Sequence, residues 1–229
     1  MSISLDTQTI RQFAAAATKG ISNDVIYTKF LQLITEYDLK GDILDFGAGT
    51  GNLTQHLYRL SRFKSITAAD IMQHSEEITY PVKWITWDLN NSLNISEQIF
   101  DVIVSAEVIE HLENPRGVVR EWFRLLRPGG TLIFSTPNNQ SLRSLLALLL
   151  QGHFVAFADT CYPSHITALL KKDIQRILSE AGFYQQKFVF TDVGNIPKFP
   201  QWQWQSISLG LLKGSIFSDN LIVICQKPS

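Results

Sequence analysis

The chain has 229 residues, 45% of them hydrophobic and 18% charged, the make-up of an ordinary soluble globular protein whose length suits one α/β domain. A core of that size needs no disulfide or metal staple. With 20 Lys and Arg against 21 Asp and Glu, the net charge of −1 excludes a general basic field for nucleic acid or membranes, while leaving room for a local patch. Cys161 and Cys225 lie far apart and form no metal-type spacing, so a reduced, cytoplasmic setting is expected. The opening "MSISLDTQTI" has neither a basic start nor an apolar core, and no signal peptide is expected.

In chain order, the first 40 residues read as a helical cap. Within it "DVIYTKFLQLITEY" (24–37) has helical spacing, with Val25, Phe30, Leu31, Leu33, Ile34 and Tyr37 on one side and Ser22 or Asn23 as N-cap. Five short apolar runs follow: 42–46, 65–70, 82–88, 100–105 and 131–136. Helix-like stretches separate several of them, most clearly 52–62 and 115–126, and "RPGG" (127–130) reads as a turn into the fifth run. Apolar strands alternating with helices predict a mostly parallel sheet covered on both faces. "LRSLLALLLQGHFVAF" is broken by Gln151, Gly152 and His153 and falls short of the ~18 apolar residues a spanning helix needs. A helix is predicted over 171–181 with Gly182 as C-cap, then strands over 183–192 and 220–226. The last of these returns after a long excursion and is suited to finish the sheet antiparallel. The whole reads as a single domain of residues 1–229. Its cofactor-binding core is 41–137, with substrate-side insertions at 138–170 and 193–218.

The chemistry starts at "ILDFGAGTGNLT" (43–54), where Gly47, Gly49 and Gly51 link the first strand to a helix. Glycine there lets the backbone turn sharply and a ligand lie against it. The free N–H groups of the helix start favour a carboxylate or phosphate. A triphosphate loop would need G-K-[ST], and Asn52 follows the last glycine, so that reading fails. A dinucleotide fingerprint would need glycine at 52, which weakens it without removing it. The third pattern, an acidic residue before G-x-G-x-G, belongs to S-adenosylmethionine sites. Asp70 ends the second strand, where a carboxylate accepts from ribose hydroxyls in either case. Asp88 ends the third, where it can receive an adenine amino group between Trp87 and Leu89.

Taken with "AADI", "WDLN", "FDVIVSAEVIEHLENP" and "LRPGGTLIFSTPN", the chain over about residues 40–137 resembles the class I S-adenosylmethionine-dependent methyltransferases. Within them it is most similar to the small-molecule, ubiquinone-type O-methyltransferase branch. The resemblance implies a three-layer α/β/α Rossmann-like fold with a seven-stranded sheet of order 3-2-1-4-5-7-6 and an antiparallel last strand. It implies S-adenosylmethionine as the cofactor. Asp45 would orient the methionine end, and Gly47, Ala48, Gly49 and Gly51 would cradle it. Asp70 would hold the ribose and Asp88 the adenine, with Ile71, Leu89 and Ser105 completing the set.

Transfer to a hydroxyl also asks for a base or a metal that lowers the hydroxyl pKa. On a helical turn, Glu107, Glu110 and His111 of "EVIEH" would share a face, and His165 precedes a later helix from which it can reach the same cleft. His111 and His165 are the expected catalytic residues. The set Glu107, Glu110, His111 and His165 resembles that of two metal-using branches, the ubiquinone-type enzymes and small-RNA 2′-O-methyltransferases. A divalent metal is nevertheless not the expectation, since the same residues can simply tie the turn to its neighbour. Taken together the insertions are rich in Phe, Leu and Trp and can roof the cleft, with Trp202 and Trp204 of the second either walling the acceptor or covering the core. The expected function is methyl transfer to a small-molecule acceptor at oxygen. RNA is disfavoured because no Lys/Arg stripe is found. A catalytically silent cofactor-binding protein and an NAD-dependent oxidoreductase are the rivals.

Overall fold

The apolar runs become neighbours in one seven-stranded sheet. In the computed structural model, which describes residues 7–17, 22–74, 76 and 78–229, two helices come first, α1 (Thr7–Ala17) and α2 (Asp24–Glu36). Then β1 (Gly41–Phe46), α3 (Asn52–Arg59), β2 (Phe63–Asp70), β3 (Lys83–Thr86), β4 (Phe100–Ser105), α4 (Pro115–Leu125) and β5 (Leu126–Pro137) build the parallel part. After them come α5 (Leu142–Gln151), α6 (Lys171–Ala181), β6 (Tyr184–Phe190), β7 (Asn195–Ile196), β8 (Phe199–Gln203), α7 (Trp204–Ile207) and β9 (Asn220–Gln226). The order in the main sheet is β3-β2-β1-β4-β5-β9-β6, and β9 runs antiparallel to both neighbours. That is the expected order; the last strand is ninth in the chain because β7 and β8 pair in a small sheet of their own.

Period-two alternation decides which layer each side chain joins. Leu44, Phe46, Ile103, Phe134 and Val223 point to the layer with Trp122 of α4 and Ile174 of α6. Ile43, Val102, Val104, Ile133 and Ile222 point the other way, onto Phe30 of α2 and Leu57 of α3. Both faces are therefore dry, which is why the central strands read as unbroken apolar runs.

Several boundaries differ from the sequence reading. Asn23 does cap α2, accepting from Val25 N at 3.0 Å, but the buried stripe is Ile26, Tyr27, Phe30, Leu33 and Ile34. Tyr37 lies past the last turn, half exposed, where the Lys187 ammonium sits over its ring. α3 stops at Arg59 and not at residue 62, since the chain turns through Ser61 at φ 53°. β3 ends at Thr86, leaving Trp87 and Asp88 beyond the ladder. "RPGG" is a bulge inside β5 and not a turn before it: Val102 pairs Thr131 while Phe100 pairs Leu126. The extra residues are anchored by Gly129 N donating to Lys227 O and Lys227 N donating to Gly130 O. Residues 1–6 and 18–21 of the expected helical cap lie outside the described residues. Among the described residues no helix is long and apolar enough to cross a membrane.

Candidate active site

All the parallel strands end at the same edge of the sheet, and a cavity of about 590 Å³ opens there. The glycine loop forms its floor. Gly47 N and Ala48 N both donate to Ala69 O, at 2.8 and 3.2 Å, so the loop is folded back on the end of β2. Gly47 sits at φ 87°, and a Cβ there would lie 2.2 Å from Val108 Cγ2, so no side chain fits. Gly49 N donates to Asp70 Oδ2 and Met72 N to Asp70 Oδ1, each at 2.8 Å. Burial pushes the Asp70 carboxyl up, with these N–H groups acting against it.

Asp45 is fully buried beneath the loop. Its Oδ2 accepts from Thr54 Oγ1 at 2.6 Å, whereas Oδ1 has no hydrogen-bond partner among the described residues. Burial raises its pKa to about 7. Asp88 accepts from Asn90 N at 3.0 Å and Asn90 Nδ2 at 3.1 Å, and also from Arg11. The other guanidinium nitrogen of Arg11 reaches Glu113 at 2.7 Å. Helix α1 thus lies across the cavity, with Ser164 Oγ donating to Ala14 O at 3.2 Å on its far side.

The opposite wall follows β4. Glu107 is not on a helical turn as expected: its backbone is left-handed, φ 56°, and the next residues form a short 3-10 turn over Ile109–His111. Glu107 N donates to Ser135 Oγ at 3.0 Å, and Oε2 accepts from Asn220 Nδ2 at 3.0 Å. Burial lifts its carboxyl to about 7. Glu110 is also fully buried, neither of its oxygens has a partner among the described residues, and burial beside Glu107 raises its pKa well above the carboxylate range.

His111 Nδ1 lies 2.8 Å from Ser164 O, and His165 Nδ1 lies 2.6 Å from Ala156 O. A carbonyl only accepts, so each Nδ1 carries the proton and each Nε2 is left as the acceptor. The rings meet edge to face at 4.6 Å. Burial, then the neighbouring His165, lowers the His111 pKa to about 4; burial lowers His165 as well. One donor atom each from Glu110, His111 and His165 lies within 4.8 Å of the others, and Glu107 is outside that set. Ile166 N and Thr167 N both donate to the backbone carbonyl of Glu110 at 3.0 Å, so the main chain also joins this turn to the segment carrying His165.

Of the expected cofactor residues, Asp45, Gly47, Ala48, Gly49, Asp70, Ile71, Asp88 and Leu89 line this one cavity, and so do Glu107, His111 and His165. Gly51 and Ser105 do not. Gly51 is the left-handed N-cap of α3, and a Cβ on it would meet Ile78; Ser105 Oγ is spent on Phe46 O at 2.8 Å. Trp87 faces an adjoining groove, while Trp204 packs on Phe217 and Trp202 stands exposed. From the first insertion Tyr162–Ile166 reach the cavity; from the second, no described residue does. Ile10, Arg11, Tyr27 and Asn220 are among the wall residues that sequence reasoning missed. They are distant in sequence from every motif, and no local pattern marks them.

A family model described as a methyltransferase domain matches residues 22–186. Among curated proteins, the mitochondrial ubiquinone biosynthesis O-methyltransferase of Rattus norvegicus is 30% identical over 118 residues, 47% of this chain and 34% of its own length. The Schizosaccharomyces pombe protein of the same name is 26% identical over 195 residues, 81% of this chain and 69% of its own. The chain therefore spans about a third of the rat relative. A solved structure of a SAM-dependent methyltransferase from Archaeoglobus fulgidus superposes with a TM-score of 0.61 at 17% identity, over 90% of this chain and 95% of that one. With one family model running from α2 into β6, the chain belongs to the methyltransferase-domain family.

Proposed function

We propose that the protein transfers a methyl group from S-adenosylmethionine to a hydroxyl oxygen of a small-molecule acceptor. The observation that carries this reading is the joining, in one cavity, of a glycine-rich loop with Asp45, Asp70, Asp88, Glu107 and two neutral imidazoles. The names of the curated relatives support oxygen as the acceptor atom.

The cofactor fits the residues present. Asp45 Oδ1, buried and unpartnered, suits the ammonium of a methionine end, which would return the carboxyl to its ionised form. Gly47 leaves the backbone bare for close approach, Asp70 keeps acceptor capacity for the ribose, and Asp88 for the adenine amino group. When bound, S-adenosylmethionine supplies a methyl already activated on a sulfonium. What remains for the protein is alignment, an effect of about 7–11 kcal/mol, and removal of the acceptor proton. Burial raises the Glu107 carboxyl toward neutral pH, which makes it a stronger base for taking that proton, whereas burial and His165 weaken His111 as one. Asn220 and Ser135 hold Glu107 in place.

Glu110, His111 and His165 fit a divalent transition metal. The carboxylate has no other partner among the described residues, and the imidazoles present lone pairs while their Nδ1–H groups are anchored. Such an ion would lower the pKa of an acceptor hydroxyl beside Glu107.

Calorimetric titration with S-adenosylmethionine, its demethylated product and NAD tests the cofactor. Label transfer from methyl-labelled cofactor to hydroxylated aromatics, sugars and lipids tests the acceptor. Tight binding with no transfer to any of them would replace this reading by that of a silent cofactor-binding protein.

A further inference from the structure

Helix α5 is inside out. Its sequence, LRSLLALLLQ, is leucine-rich, yet its single buried side chain is Ser144, whose Oγ accepts from Val155 N at 3.3 Å. Leu149 and Leu150 are 80% and 73% exposed. A surface helix ordinarily turns its apolar face to the core. Beside α5 lies the second insertion, the one that contributes nothing described to the cavity. The 3-10 turn Ser215–Phe217 packs on α5, Asn138 Nδ2 donates to Ser215 O at 2.6 Å, and Arg143 pairs with Asp219 at 3.1 Å. From this insertion Leu209 and Leu211 project, 93% and 84% exposed, on either side of Gly210, around which a Cβ would find open space.

Charge sharpens the picture. Not one of the chain's 21 acidic residues falls within 138–158 or 193–218, while Arg143, Lys198 and Lys213 do. Exposed Trp202, with its apolar ring and polar N–H, belongs to the same insertion. Leu145, Leu148, Leu149 and Leu150 form one exposed run on α5, and Leu209 and Leu211 protrude from a glycine-flanked tip. Such leucines suit penetration into a fluid apolar layer, and although Asp219 takes up Arg143 and Asp192 holds Gly214, exposed Lys198 and Lys213 complement negative headgroups.

We propose that α5 and the 199–217 insertion form a docking face for an anionic lipid surface. The face lies beside the cavity mouth, since Val155 joins α5 to the segment that carries His165. The proposal does not rest on the methyltransferase reading.

Co-sedimentation with phosphatidylcholine vesicles, with and without about one-third phosphatidylglycerol, tests it. The expected result is binding to the anionic vesicles that weakens with salt. Leu209→Glu with Leu211→Glu, and separately Leu149→Glu with Leu150→Glu, are each expected to reduce partitioning more than about tenfold. Lys198→Glu with Lys213→Glu should lower it by at least about tenfold. The four leucines are exposed, so unchanged thermal melts verify folding, and the pair flanking Gly210 serves if the α5 pair does not fold. No binding to anionic vesicles, equal binding to neutral ones, or binding indifferent to Leu209 and Leu211 overturns the proposal. So does a vesicle-free dimer, seen by sedimentation equilibrium, that the same two substitutions dissociate.

Discussion

Under the proposed function Asp45 receives the ammonium of S-adenosylmethionine, and the pH dependence of binding can then be worked out in advance. Its carboxyl is fully buried, one oxygen has no partner among the described residues, and burial raises its pKa to about 7. If an ammonium requires the ionised form, affinity follows the ionised fraction: about one-tenth at pH 6 and about nine-tenths at pH 8. Because the ligand's own ammonium, near 7.7–8.0, is by then partly neutral, binding of S-adenosylmethionine is expected to be about three- to fivefold tighter at pH 8 than at pH 6. The stability of the free protein moves the opposite way. A carboxyl whose folded pKa is raised binds its proton more tightly when folded, so its contribution is fully present below the unfolded value near 4 and is lost as pH rises through 7. The upward shift corresponds to at most about 4 kcal/mol. Asp45→Asn is therefore expected to stabilise the free protein at pH 8, flatten the pH dependence of binding, and weaken binding itself. Calorimetry across this range with wild type and variant, paired with urea denaturation, measures all three. A wild-type affinity that ignores pH, or a variant that keeps the same slope, would refute the reasoning.

Gly47→Ala is expected to lower stability by at least about 1–2 kcal/mol from its left-handed backbone alone, and further from the overlap with Val108; Val108→Ala in the same chain should recover part of the loss in a thermal melt. Arg11→Ala removes the bridge from α1 to Asp88 and Glu113; about 1 kcal/mol or less is expected in global stability, with faster cofactor release by stopped flow. His165→Ala is expected to abolish cobalt(II) binding, read from its visible absorption, while leaving S-adenosylmethionine affinity within about twofold. Glu107→Gln is expected to lower kcat about 10²–10⁴-fold, with little change in cofactor affinity.

The part of the cavity proposed to take the cofactor was legible as a place in the fold because its residues sit within a few positions of strand ends. There, period-two apolar runs and glycines fix the geometry locally: Asp45, Gly47, Asp70 and Asp88 all fall where the pattern puts them. The reading failed where long-range contacts decide. Gly51 satisfies the loop pattern but is used against Ile78, because α3 begins one residue later. The spacing of "EVIEH" suggested a helical face, yet Ser135 and Asn220, 28 and 113 residues away from Glu107, hold that carboxylate in a left-handed turn. Arg11 carries no sequence signal, since its partners Asp88 and Glu113 lie across the molecule. The leucines of 142–151 imitate a core helix, and only the fold tells that they face outward.

The place of β9 has a consequence for biosynthesis. It is the last strand in the chain, yet it slots between β5 and β6. Until it leaves the ribosome, two apolar strand edges stay open to stray pairing. The loop over Asp45 can form on β1 and β2 well before that, whereas Glu107 must wait for Asn220, the first residue of the closing strand. A nascent chain arrested before residue 220 is expected to hold only half of the cavity's walls and to need a chaperone.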